Sequence, residues 1–161
     1  MPDPADRDGG ELDGFRISFV PVSVGELVSD FVSEWEDVTV STRVWERQVE
    51  DGHRVDLRVH VLRGDRLGSL AELRDFLAEY HERDPADRAF TEFQHGEDPG
   101  LIGAAEAFWL AAPGVAVDVL LDPERLNVDT LRPTALGITA AAAGPASPSD
   151  SDDPPAQTKD T

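Results

Sequence analysis

The stretch from Val38 to Gly64, VTVSTRVWERQVEDGHRVDLRVHVLRG, constrains this chain more than any other. Val55, Leu57, Val59 and Val61 alternate with Arg54, Asp56, Arg58 and His60, the period-2 pattern of a strand with one buried face. Val38, Val40, Thr42 and Val44 alternate in the same way with Thr39, Ser41, Arg43 and Trp45. Asp51-Gly52 lies between the two runs and suits a type I′ turn, whose central positions both need positive φ. A turn there sets Val44 opposite Val59 and Thr42 opposite Val61 on the inner side. On the outer side it sets Trp45 opposite Arg58, Arg47 opposite Asp56 and Arg43 opposite His60. Cross-strand pairs of these kinds contribute roughly 0.2–1 kcal/mol each. Arg43, Trp45, Arg58 and His60 then form an exposed row, the expected interaction surface. Glu46 falls on the apolar side near the turn, where a wet edge is expected.

The best helix begins at Ser69. Ser69-Leu-Ala-Glu72 is a capping box, and Leu70, Leu73, Phe76, Leu77 and Tyr80 make one apolar stripe. Glu79 and Arg83 stand at i,i+4, and Asp84-Pro85 stops the helix. Before the hairpin, Phe15–Val20 reads as a short strand that Pro21 ends or places at an edge. Val24–Trp35 reads either as a helix, with Leu27, Phe31 and Trp35 at four-residue spacing, or as a turn followed by a strand from about Val32. After the helix, Phe90–His95 reads as a strand and Gly96–Gly103 as a loop. Ala107–Ala111 and Val115–Leu121 form a second hairpin across Ala112-Pro-Gly114, with Val115, Val117, Val119 and Leu121 on one face. Asp122-Pro123 opens a final helix marked by Leu126, Leu131, Ala135 and Ile138, shortened or kinked by Pro133. The expected fold is α+β. A twisted antiparallel β-sheet of two hairpins plus extra strands is covered by a middle helix and a C-terminal helix. The 161 residues divide into an acidic N-terminus (1–13) and a single domain (14–139), followed by an Ala/Pro/Ser/Asp tail (140–161), with disorder expected at both ends.

Charge narrows the partners. The net charge is −19, and −12 remains on residues 14–139 once both ends are set aside. Such a surface repels phosphate and anionic lipid, so a protein partner, and a basic one, is expected rather than nucleic acid or membrane. Thirteen Arg against one Lys is the composition of a high-GC genome. Without Cys there is no disulfide, thiolate ligand or Cys nucleophile. MPDPADRDGG has neither a basic n-region nor an apolar run, and no stretch approaches a membrane span, so a cytoplasmic location is expected.

Candidate chemistry is sparse. Gly-x-Ser-x-Gly, Ser-x-x-Lys and P-loop patterns are missing from the sequence, and the four His show no His-x-x-x-His spacing. His81 falls at a helix end and His95 where the expected strand meets the loop, both read as surface positions. Catalytic residues, metal ligands and cofactors are therefore not expected, and the chain reads as a non-enzyme. The alternative to an interaction surface is a small-ligand or lipid cavity between sheet and helix, lined by Phe76, Tyr80, Phe108 and Trp109.

The segments VDLRVHVLRG, SLAELRDFLAEYHERD and PGLIGAAEAFWLAAPGVAVDVLLDPERL, in that order, resemble the PsbP-like fold. Photosystem II extrinsic subunits, Ran-binding Mog-type proteins and bacterial DcrB-like lipoproteins share it. The likeness is one of element order over residues 15–138 and implies a binding or accessory module; no site residues carry over from it. The aromatic hairpin also resembles the end of anti-sigma-factor and lipoprotein-carrier-like sensor domains, which lack a long middle helix. The overall texture is similar to that of actinobacterial proteins.

Overall fold

The computed structural model describes residues 6–21, 23–81, 90–124 and 126–141. The described residues begin with four short strands, β1 (Asp6–Arg7), β2 (Gly10–Leu12), β3 (Phe15–Ile17) and β4 (Val20–Pro21). Three long strands follow, β5 (Leu27–Trp35), β6 (Val38–Val49) and β7 (Gly52–Arg63), and then helix α1 (Leu70–Tyr80). Next come β8 (Thr91–His95), β9 (Asp98–Ile102), β10 (Glu106–Ala112) and β11 (Val115–Leu121). A 3-10 turn at Val128–Thr130, α2 (Leu131–Leu136) and β12 (Ile138–Ala140) complete the described chain.

The protein is α+β, mostly antiparallel sheet. Its main sheet has seven strands in the order β5-β6-β7-β11-β10-β9-β8. A three-stranded sheet, β12-β3-β2, and the pair β1-β4 lie apart from it. No helix among the described residues is long and apolar enough to cross a membrane.

Alternation along the central strands builds two cores, one on each face of the main sheet. Leu57, Val59 and Val61 of β7, Val117 and Val119 of β11 and Trp109 of β10 pack with Phe15, Ile17, Leu131 and Ile138 of the small sheet and α2. Leu62 of β7, Ala116 of β11, Phe108 of β10 and Val38 and Val40 of β6 pack with Leu73, Phe76 and Leu77 of α1. The result is three layers, with the two helices on opposite faces of the sheet. Helix α1 starts where the capping box places it, with the Glu72 N–H donating to Ser69 Oγ at 3.2 Å. The Glu79–Arg83 pair and the Asp84-Pro85 stop lie outside the described residues.

Four sequence expectations are corrected. The N-terminal segment is ordered in its described part. Residues 6–12 contribute β1 and β2, Leu12 is buried, and the Gly9 carbonyl accepts a hydrogen bond from Arg43. Its few apolar residues suffice because they join an existing sheet face. Strand β5 starts at Leu27 rather than near Val32. Residues 98–102, read as loop, form β9; its pairing with β10 starts at Gly100, so Pro99 has a strand neighbour on one side only and its missing N–H is tolerated. Ile138 belongs to β12, opposite Ile17, instead of the last helix. At the C-terminal side β12 runs through Ala140, one residue past the expected boundary at 139, and residues from 142 on lie outside the described part.

The first hairpin exists, but its register differs from the expected one. The turn falls at Glu50-Asp51, because Val49 pairs with Gly52. Beyond it Glu46 pairs with Val55, whereas Trp45 pairs with Leu57, which leaves Asp56 as the extra residue of a β-bulge. Its carboxylate is fully buried. Asp56 Oδ2 accepts from the Gly25 N–H at 2.9 Å, and Oδ1 accepts from Arg47 Nε at 3.1 Å. The expected Arg47–Asp56 ion pair is thus made, although the backbone sets Arg47 opposite Arg54. Gly25 is required there, since a Cβ would collide with the Glu46 carbonyl. Replacing Asp56 by Ala removes the carboxylate that accepts from the Gly25 N–H and pairs with Arg47. Asp56→Ala should lower unfolding stability by roughly 2–3 kcal/mol, read as a shift in the urea midpoint, with the far-UV spectrum unchanged below the transition.

Candidate functional site

Two places in the fold carry features that packing alone does not demand. The first lies under the C-terminal end of α1. Because of the bulge at Asp56, His60 stands opposite Thr42 on β6, and it stands opposite Asp118 on β11. Thr42, His60 and Asp118 therefore share the face that α1 covers. His81, the C-cap residue of α1, descends onto the same spot. Its Nε2–H donates to Asp118 Oδ2 at 2.8 Å, and Glu106 Oε2 of β10 is 3.6 Å from the same nitrogen. His60 Nδ1 and Thr42 Oγ1 are hydrogen-bonded at 2.8 Å. Tyr80 meets His60 edge-on, with ring centroids 6.0 Å apart.

The cluster is closed to solvent. His60 is 4% exposed, and Asp118 and Thr42 are fully buried. Burial holds the His60 imidazole down at about 3, with the nearby positive charges of His81 and Arg58 acting in the same direction. Its ring is accordingly neutral at physiological pH. With Thr42 Oγ1 accepting the Nδ1 proton, Nε2 is a bare lone pair. That Nε2 is buried and has no hydrogen-bond partner among the described residues. A buried acceptor left in that state costs about 1–3 kcal/mol.

The second place is the edge of the main sheet at β5. Its nine residues are exposed throughout except Trp35, which packs edge-on against Phe76 at 5.3 Å. Leu27, Val28, Phe31 and Val32 are 45–68% exposed, an unusual amount of apolar surface for an edge strand. Phe31 shares the α1 face with Trp35. Val28 and Val32 share the other face with Asp30 and Glu34, where Arg43 holds Asp30 through two bonds of 2.7 and 2.8 Å.

The residues singled out from sequence fall elsewhere than expected. Arg43, Trp45, Arg58 and His60 do not form one exposed row. The bulge puts Arg43 and Trp45 on the face of the small sheet and Arg58 and His60 on the face of α1. Trp45 and His60 are both 4% exposed, and Arg58 alone of the four is exposed. The expected pocket is not assembled either. Phe76 and Phe108 are packed together in one core, Trp109 sits in the other, and Tyr80 stacks on Phe76 at 5.8 Å. His95 is no surface histidine: it is buried in β8, its ring stacks on Trp109 at 4.1 Å, and its Nε2–H donates to the Ala135 carbonyl at 2.9 Å. His60 and His81, both read from the sequence as surface positions, lie with ring centroids 5.8 Å apart. The sequence signal for the cluster is weak, namely a His and an Asp that alternate with the apolar face of two strands.

No family model, no curated protein and no solved structure matches this chain.

The buried imidazole gives stability an acid limb. The folded pKa of His60 lies below its value of 6.5 in an open chain, so as pH falls the unfolded state takes up the proton first. The contribution is complete above about pH 6.5. It is lost on the way down towards about 3, at about 1.4 kcal/mol per pH unit. Urea midpoints measured between pH 7 and pH 4 in buffer freed of divalent ions should show this limb, and His60→Phe should flatten it.

Proposed function

We propose that the chain is a non-catalytic protein-interaction module whose open β5 edge takes up an extended, basic segment of a protein partner. The observation that carries this reading is the exposure of Leu27, Val28, Phe31 and Val32 along an unpaired edge of nine residues. Such an edge is about 30 Å long and offers a row of backbone donors and acceptors to an added strand. Soluble proteins usually blunt such an edge with bulges, prolines or inward charges. Here β5 runs in unbroken register with β6 from Leu27 to Trp35.

Charge favours a basic partner over a second copy of the chain. The net charge of −19 opposes self-association, and Glu34 alternates with Val32 on the outer face of β5. A segment that alternates apolar and basic residues matches both the apolar and the acidic positions. The resemblance to the PsbP-like group, which implies an accessory role, supports the same reading.

The test uses a labelled peptide of alternating Lys and Val, titrated with the full chain and followed by fluorescence anisotropy at moderate salt. Saturable binding is expected, with no binding of the corresponding Glu–Val peptide. Val32→Pro keeps every charge but blocks strand addition, and should weaken binding at least tenfold. Binding unchanged in Val32→Pro would reduce the interaction to diffuse electrostatics and overturn the reading. Self-association of the free chain that Val32→Pro abolishes would replace the basic partner by a second copy.

A further inference from the structure

We infer that His60, His81 and Asp118 form a binding site for one divalent transition-metal ion of the zinc type, which fastens the end of α1 to the main sheet. One ligating atom from each of the three lies within 4.8 Å of the other two. The residues come from β7, the C-cap of α1 and β11, so three separate elements converge on one point. Two imidazoles and one carboxylate are a donor set that suits zinc and its neighbours rather than calcium or magnesium.

The surroundings are those of a ligand site. His60 has one nitrogen oriented by Thr42 and the other buried and unpartnered among the described residues. A hydrogen bond on the far nitrogen is the usual arrangement for a metal-bound histidine, because it fixes the tautomer and aims the lone pair. His81 and Asp118 already share a proton at 2.8 Å, and that proton is the one a cation displaces. Two atoms bound to one tetrahedral zinc stand about 3.3 Å apart, so the widest separation here has to close by about 1.5 Å. His81, at a helix end with its side chain 13% exposed, is placed to make that movement. Glu106, whose Oε2 lies 3.6 Å from His81 Nε2, places a second carboxylate beside the three ligands.

Nothing in this site depends on the β5 edge, and the two readings fail separately. The full chain, stripped with chelator, is titrated with Co²⁺ and followed by visible absorption and calorimetry. One equivalent should bind, with the d–d bands of a low-coordinate ion carrying nitrogen donors, and Zn²⁺ should displace it. His81→Gln and Asp118→Asn should each weaken binding by at least tenfold, and Thr42→Val by about tenfold through loss of the orienting hydroxyl. His53→Gln, on the exposed start of β7, should leave it unchanged. Zn²⁺ should raise the melting temperature of the parent chain but not of His81→Gln. His81 sits at a helix terminus, so this variant remains decisive should a buried substitution fail to fold. No stoichiometric binding, or binding that survives in folded His81→Gln, would overturn the assignment, as would binding lost in His53→Gln.

Discussion

The buried carboxylate of Asp56 is the constraint on which the rest of the sheet depends. It is the extra residue of the bulge, and each of its oxygens has a partner, the Gly25 N–H and the Arg47 guanidinium. Its backbone carbonyl accepts from the Asp122 N–H at 3.0 Å, just past the end of β11. One residue therefore ties together the entry into β5, both arms of the long hairpin and the exit from the second hairpin. A charge in that position is tolerable only because it is fully bonded. The bulge also sets which side chains share a face. Continued past Asp56 without the extra residue, the register of the turn would set His60 opposite Ser41 and Thr42 opposite Val59. The Thr42–His60–Asp118 alignment exists because of one inserted acid.

Strands β7 and β11 lie at the centre of the order and serve both cores. Their alternation sends Leu57, Val59, Val61, Val117 and Val119 to the small sheet and α2, and Leu62 and Ala116 to α1. A strand buried on both faces normally carries apolar residues on both. Apart from Asp56 in the bulge, the buried exceptions are His60 and Asp118, which are adjacent to each other and lie where α1 ends. The helix supplies Leu73, Phe76 and Leu77 to cover the apolar part of its face, and at its last turn it changes to Tyr80 and His81 over the polar part. The polar cluster and the helix terminus are matched in position.

Much of this was legible in the sequence, and the failures have a common cause. The capping box located α1, and alternation located β7, β10 and β11, because these signals are local. The arm from Val38 to Val49 was found for the same reason, yet its partnership with β7 was shifted. A turn one residue from the expected place shifts the register by two residues, and the bulge at Asp56, between Val55 and Leu57, changes which side chains share a face. Neither is visible in a period-2 pattern, since the bulge residue is an acid at a position where exposed acids are ordinary. The error then propagated: Trp45 and His60, read as outward, turned inward. The convergence of residues 60, 81 and 118 depends on the pairing of β7 with β11 and on the landing of α1, which no local spacing encodes. The short strands near the N-terminus were missed because Gly-rich acidic sequence reads as disorder until a sheet is present for Leu12 to join.

The edge strand and the buried cluster are linked by one row of residues across the sheet. Phe31 pairs with Thr42, Thr42 with His60, His60 with Asp118, and Asp118 with Phe108. Neighbouring strands are about 4.8 Å apart, so Phe31 at the open edge is only about 10 Å from His60. The row passes from an exposed aromatic through three polar residues to a buried aromatic. A strand added on β5 would extend it by one position beside Phe31, without touching His60. An ion under α1 would act on the same row from above, through the helix end. The edge and the cluster thus lie on one continuous set of hydrogen-bonded strands: β5 pairs with β6 on one side and with no described strand on the other, and α1 ends over the cluster.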